Sequence, residues 1–154
     1  MTKLDELYKI AREVQIKIIN MPMEESIAIS SPKGSIAVDR RKIKTLEEEK
    51  SVVAHELGHH MTGTFYTIKT LETRPRMEQR ANRWSYRKLI PWRELKTAIE
   101  NGIDEPWQLA EYFKLPERII REALDFYLKA QPIEVIRSPL GRWKIPMLIG
   151  ISAQ

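Results

Sequence analysis

The chain has 154 residues, 42% of them apolar and 31% charged, with a formal net charge of +5. Such a length fits one compact domain of about 150 residues that needs no covalent staples, and the composition excludes a disordered chain. No apolar run approaches the roughly 18 residues of a membrane span, and the absence of cysteine excludes disulfides, thiolate metal sites and cysteine nucleophiles.

Residues 3–19 carry Leu4, Leu7, Ala11, Val14 and Ile18 at spacings of three and four, which predicts one amphipathic helix ended by Asn20-Met21-Pro22. The same stretch has Asp5, Glu6, Lys9, Arg12, Glu13 and Lys17 where a secretory signal has a continuous apolar core, so a cytoplasmic protein is expected. SIAIS and SIAVD flank Ser31-Pro32-Lys33-Gly34 and predict a β-hairpin over residues 26–39. Thr45 and Glu48 have the spacing of a capping box, and Glu47, Glu48 and Glu49 suit the positive end of a helix over residues 46–61. Its core face should hold Leu46, Val53, Leu57 and Met61, with Gly58 admitting another element closely.

Thr62-Gly63-Thr64 opens a loop that Pro75 closes, and a helix over residues 76–90 follows. Pro91 starts a short helix that should stop at Asn101-Gly102. Helices over 105–113 and 116–130 are joined by Lys114-Leu115. Residues 1–131 are expected to form one domain. The tail, 132–154, holds IEVI and RWKIPMLIGI around Ser138-Pro139-Leu140-Gly141, a pattern of a hairpin or of partial disorder.

All three histidines fall in A-H-E-L-G-H-H: His55, His59 and His60. Chance supplies an H-E-x-x-H about 0.006 times in a chain of this composition. On a helix, His59 lies one turn beyond His55 and only about 40° around the axis, so the two imidazoles converge on one point. Glu56 points to the side, where a carboxylate can take a proton from water activated by a metal. His60 lies off this face and reads as a surface residue.

A catalytic zinc site needs a third protein ligand, and here it must be Asp or Glu. On the 76–90 helix, Glu78 shares a side with Ala81, Asn82, Ser85 and Leu89, while Arg76, Arg80, Arg83 and Arg87 form a stripe on the other side. A carboxylate on the apolar side needs a cationic partner, since unpaired burial is costly. Glu78 is therefore the first candidate and Glu72 the reserve. Asn82, one turn from Glu78, can accept the non-metal N–H of a ligand histidine.

HELGHH followed by E-Q-R-A-N-R-W-S-Y-R-K-L-I-P resembles the ImmA/IrrE family of phage- and mobile-element-associated zinc peptidases. Ala81, Asn82, Leu89 and Pro91 fall in register with its second motif, whereas Trp84-Ser85 replaces the usual Phe-Ala and Lys88 a common Leu. The resemblance implies Zn²⁺ on His55, His59 and Glu78, with Glu56 as the catalytic carboxylate. It implies an α+β, zincin-like fold: an HExxH helix, a short β-hairpin or small antiparallel sheet, and a helical C-terminal half. It also implies that the substrate is a helix-turn-helix repressor, cut to release a phage or mobile element. Tyr66, Tyr86 and His60 are the candidates for stabilising the oxyanion.

Residues 109–120, L-A-x-x-F-x-L-P-x-x-I-I, resemble a helix-turn-helix. However, Arg118, Arg121 and Lys129 are balanced by Glu117, Glu122 and Asp125, and a neutral helix binds phosphates poorly. Core packing by Leu109, Phe113, Ile119, Ile120 and Leu124 is the favoured reading, and DNA binding is not. The segment 66–96 holds nine Lys/Arg against three Glu. Its Arg stripe is either a solvated face or a docking surface for an acidic partner. The alternative to a peptidase is a non-hydrolytic DNA- or repressor-binding regulator with a structural or vestigial metal site. Glu56 argues against it, because a purely structural site does not need that carboxylate.

Overall fold

The computed structural model describes residues 1–67 and 70–130; the expectations for the 132–154 tail lie outside the described residues. The fold is α+β, with a compact unit over residues 1–89 and a second that begins at Ile90. Among the described residues no helix is long and apolar enough to cross a membrane.

The first helix, α1 (Lys3–Glu13), is capped by Thr2, whose hydroxyl accepts from Asp5 N–H at 3.1 Å while the Asp5 carboxylate accepts from Thr2 N–H at 2.8 Å. It buries Leu7 and Ala11. The expected helix to residue 19 is thus too long. Gln15 turns into the left-handed region (φ +59°), Ile16 N–H closes on Ala11 C=O at 2.8 Å, and residues Lys17–Asn20 form strand β1. Ile18 kept helical spacing by coincidence. The Ile-rich run 16–19 prefers a pleated surface, and it finds one beside the hairpin.

That hairpin is β2 (Ala28–Ser31) and β3 (Ser35–Val38), as expected, with Gly34 in the turn at φ +92°, a conformation that suits glycine. The sheet order is β1-β3-β2, with β1 parallel to β3. The sheet is therefore mixed rather than antiparallel, and it leaves β2 at an edge. Beyond β3, the buried carboxylate of Asp39 accepts from Met23 N–H at 2.9 Å and from Arg41 Nε and Nη2 at 2.9 and 2.8 Å. These bonds hold its carboxyl well below the usual range, the Arg41 guanidinium contributing most.

The helix α2 (Leu46–Thr62) packs on α1, on β2 and most extensively on the next helix, α3 (Arg74–Leu89). Thr45 Oγ1 accepts from Glu48 N–H at 3.1 Å, half of the expected capping box; the Glu48 carboxylate reaches past Thr45 to Lys44 N–H at 2.7 Å. Val53, Ala54 and Leu57 are fully buried. Leu46 and Met61, expected on the core face, are exposed because they occupy the end turns, beyond the reach of the packed neighbours. Gly63 ends the helix at φ +64°. A Cβ on Gly58 would run into the backbone carbonyl of Ala81, so glycine is what lets α2 and α3 approach so closely. The third helix starts two residues earlier than expected, with Pro75 in its first turn, and buries Met77, Ala81, Ser85 and Leu89.

In the second unit, α4 (Trp92–Glu100) ends at Asn101 with Gly102 at φ +89°. Helices α5 (Pro106–Phe113) and α6 (Glu117–Ala130) follow. Leu109, Phe113, Ile119, Ile120 and Leu124 are buried. Along α6, Arg118, Arg121 and Lys129 pair with Glu122, Glu117 and Asp125 at 3.0, 2.6 and 2.7 Å. Both findings match the core-packing reading of this segment.

Candidate metal centre

Two elements bring the chemistry together. The second helix supplies His55, Glu56 and His59 from consecutive turns, and α3 supplies Glu78 and Asn82 from one face. The Nε2 atoms of His55 and His59 lie 3.2 Å apart. Glu78 closes the triangle, Oε2 at 3.2 Å from His55 Nε2 and Oε1 at 3.5 Å from His59 Nε2. Glu72, the reserve candidate, is elsewhere: its carboxylate pairs with Arg80 Nη1 at 2.9 Å.

Hydrogen bonds on the far side of each ring decide what the Nε2 atoms can do. His59 Nδ1 lies 2.7 Å from Thr64 C=O, which can only accept, so Nδ1 carries the proton. It also lies 3.0 Å from Thr64 Oγ1. His55 Nδ1 lies 2.8 Å from Asn82 Oδ1, which accepts in the same way. Neutral imidazoles so oriented present bare Nε2 lone pairs to each other and to a carboxylate. Among the described residues three acceptor groups converge without a donor, a set that a cation at their centre would satisfy. A tetrahedral ion about 2.0–2.1 Å from its ligands has edges of about 3.3–3.4 Å, close to the 3.2 Å between the two Nε2 atoms, and Glu78 turns one carboxylate oxygen toward each of them. His55, His59 and Glu78 could therefore hold a metal ion.

Glu56 does not join the triangle. It is buried beside it, and Ser30 of β2 reaches it: Ser30 Oγ is 2.6 Å from Glu56 Oε2 and 2.9 Å from the Glu56 carbonyl. One hydroxyl has one proton, and the shorter contact gives it to the carboxylate. The other carboxylate oxygen takes no hydrogen bond among the described residues. A cavity of about 280 Å³ opens over these groups, lined by Ser30, His55, Glu56, His59, Tyr66, Arg74 and Glu78 among others.

Neither Ser30 nor Thr64 belongs to a motif, and sequence reasoning passed over both. Only the hairpin placement of Ser30 beside an HExxH helix, or the position of Thr64 just past a helix-ending glycine, could have drawn attention to them. Of the three oxyanion candidates, Tyr66 lines the cavity, its ring centroid 5.9 Å from that of His59. Tyr86 is buried on α3 and is not among the lining residues. His60 is not the surface residue expected. Because α2 lies against the sheet, its ring is half-buried, with Nε2 donating to Ser35 C=O at 3.2 Å, and burial pushes its pKa down. The stripe residues Arg76, Arg80, Arg83 and Arg87 are all exposed. Arg80 also serves as a strut, donating to Thr62 C=O at 2.9 Å as well as pairing with Glu72.

A small α+β, zincin-like domain with two histidines and a carboxylate around one point, and a second carboxylate alongside, defines a metallopeptidase-type protein. The chain belongs to the family described as Peptidase_M78, IrrE N-terminal-like domain, whose profile matches residues 11–125. No curated protein matches it.

Proposed function

We propose that the chain is a zinc-dependent endopeptidase that cuts a helix-turn-helix repressor of a phage or mobile element, in the cytoplasm, at one or a few bonds. The observation that carries the reading is the acceptor-only triangle of His55, His59 and Glu78 with Glu56 held beside it. Zinc held there by those three residues would supply the Lewis acidity that polarises a scissile carbonyl and acidifies a water.

The remaining chemistry belongs to the chain. Glu56, with one oxygen fixed by Ser30, takes the proton of the attacking water on its other oxygen and passes it to the leaving amine nitrogen. Asn82 and Thr64 keep Nδ1 protonated and the two rings aimed. Strand β2 is an edge, and Ile27 C=O already accepts from Asp39 N–H, so alternation turns the main-chain groups of Ala28 and Ser30 away from β3. They can hold an extended peptide by strand addition over the cavity.

A cavity of this size reads few side chains, so selection of a folded repressor needs a second surface, and the Arg stripe offers one. Arg76 and Arg83 are the members to reverse, because Arg80 is already a strut. Zinc-loaded protein incubated with the repressor encoded beside its gene should cut it while leaving casein largely intact. Arg76→Glu with Arg83→Glu should slow repressor cleavage more than cleavage of a short peptide spanning the same bond. A repressor that survives while unrelated unfolded proteins are digested would refute the selective reading.

A further inference from the structure

Among the described residues, the cavity wall contains one cation that the proposed chemistry does not use. Arg74, the first residue of α3, lines it and places its guanidinium carbon 4.6 Å from the centroid of the Tyr66 ring. The ring face holds the cation through its π-electrons rather than through a lone pair, and among the described residues no hydrogen-bond acceptor engages the guanidinium N–H groups. Among the described residues no carboxylate forms an ion pair with Arg74.

The charges around the cavity favour an anion there. Among the described residues, its lining has the two carboxylates of Glu56 and Glu78 against Arg74. A divalent ion on His55, His59 and Glu78 turns that local sum from −1 to +1, and the uncancelled charge is the one on Arg74. Distance places it near the reaction. With Tyr66 5.9 Å from the His59 ring and Arg74 4.6 Å from Tyr66, the guanidinium carbon is no farther than about 10.5 Å from the His59 ring. An extended chain advances about 3.3 Å per residue, so a side chain meeting Arg74 lies within about three residues of the cleaved bond.

We infer that Arg74, seated on Tyr66, is a specificity residue that selects substrates with an aspartate or glutamate within about three residues of the scissile bond. The inference rests on the peptidase reading for the existence of a cleaved bond, and on metal loading for the charge balance. A guanidinium takes a carboxylate through two parallel N–H···O bonds, which a lysine or a neutral amide on the substrate cannot replace.

The test uses decapeptides of one sequence that carry Glu, Gln or Lys at each position around the cut. Zinc-loaded wild type should show one position at which Glu exceeds Lys at least about tenfold in kcat/KM, with the preference weakening at high salt. Arg74→Glu should invert that order, and Arg74→Lys should keep it in weaker form. A parallel arm measures binding of the same labelled peptides to zinc-loaded Glu56→Gln protein, where the Glu peptide should bind most tightly. Cleavage with no acidic preference at any position, or a preference that survives Arg74→Glu, overturns the inference and leaves the peptidase reading intact. Acid-selective binding without cleavage by the wild type overturns the peptidase reading and, with it, the placement beside a scissile bond, and leaves Arg74 as an acid-selecting contact only if Arg74→Glu abolishes that selectivity. Binding blind to charge, with no cleavage, overturns both.

Discussion

Replacing Gly58 by alanine separates helix propensity from the close approach of α2 and α3. In an isolated helix the change stabilises by about 0.8–1.0 kcal/mol. Here the added Cβ would collide with the Ala81 carbonyl, a backbone group that cannot rotate aside as a side chain would. Overpacking costs about 1–3 kcal/mol, and a backbone obstacle places this site at the upper end, about 3 kcal/mol. The net is a destabilisation of about 2 kcal/mol, or about 4–8 °C in Tm for a chain of this size. Relief requires α3 to move, and α3 carries Glu78 one turn before the clash and Asn82 directly after it. Zinc affinity should therefore fall at least about tenfold along with stability. Thermal unfolding of the metal-free protein and a competitive zinc titration read the two effects. A Gly58→Ala protein with raised Tm and unchanged zinc affinity would refute the packing argument.

Glu78→Ala should abolish stoichiometric zinc in equilibrium dialysis, whereas Glu72→Ala, which breaks only the pair with Arg80, should keep it. Asn82→Ala should weaken zinc binding about 10–100-fold. Thr64→Ala should do less, because the shorter bond to His59 comes from the Thr64 main chain; equal losses in the two titrations would contradict that assignment. Asp39 has its carboxyl held down in the folded state, so its stabilising effect is present above the ordinary carboxylate value of about 3.9 and is lost as pH falls toward the lowered folded value. Acid titration of stability should therefore be flatter in Asp39→Asn than in the wild type below about pH 4, and parallel curves would exclude Asp39 as a contributor.

The parts of this protein legible in its sequence are those whose signals are local. The α2 helix announces itself by Thr45, the Glu run and Gly63, and its His pair by one turn of spacing. Glu78 and Asn82 were recoverable because a helix fixes which residues share a face. The start of β1 was not, since Val14 and Ile18 continue a helical spacing and the break falls at Gln15, a residue that carries no turn signal. Leu46 and Met61 have the right angular position for the core but lie at helix ends, and periodicity is blind to where the neighbouring elements stop. Ser30, Thr64 and Arg74 reach the site through chain folding alone. A serine 26 residues from Glu56 has no pattern that links the two.

The proposed peptidase chemistry requires Glu56 to act on a proton rather than hold a metal. The direct measurement is the turnover of a peptide substrate by zinc-loaded Glu56→Gln protein beside the zinc-loaded wild type. Zinc content should remain at one per chain, because the triangle of His55, His59 and Glu78 is untouched, while hydrolysis falls by about 10²–10⁴-fold. Undiminished cleavage by Glu56→Gln, or zinc lost with the carboxylate, would contradict it.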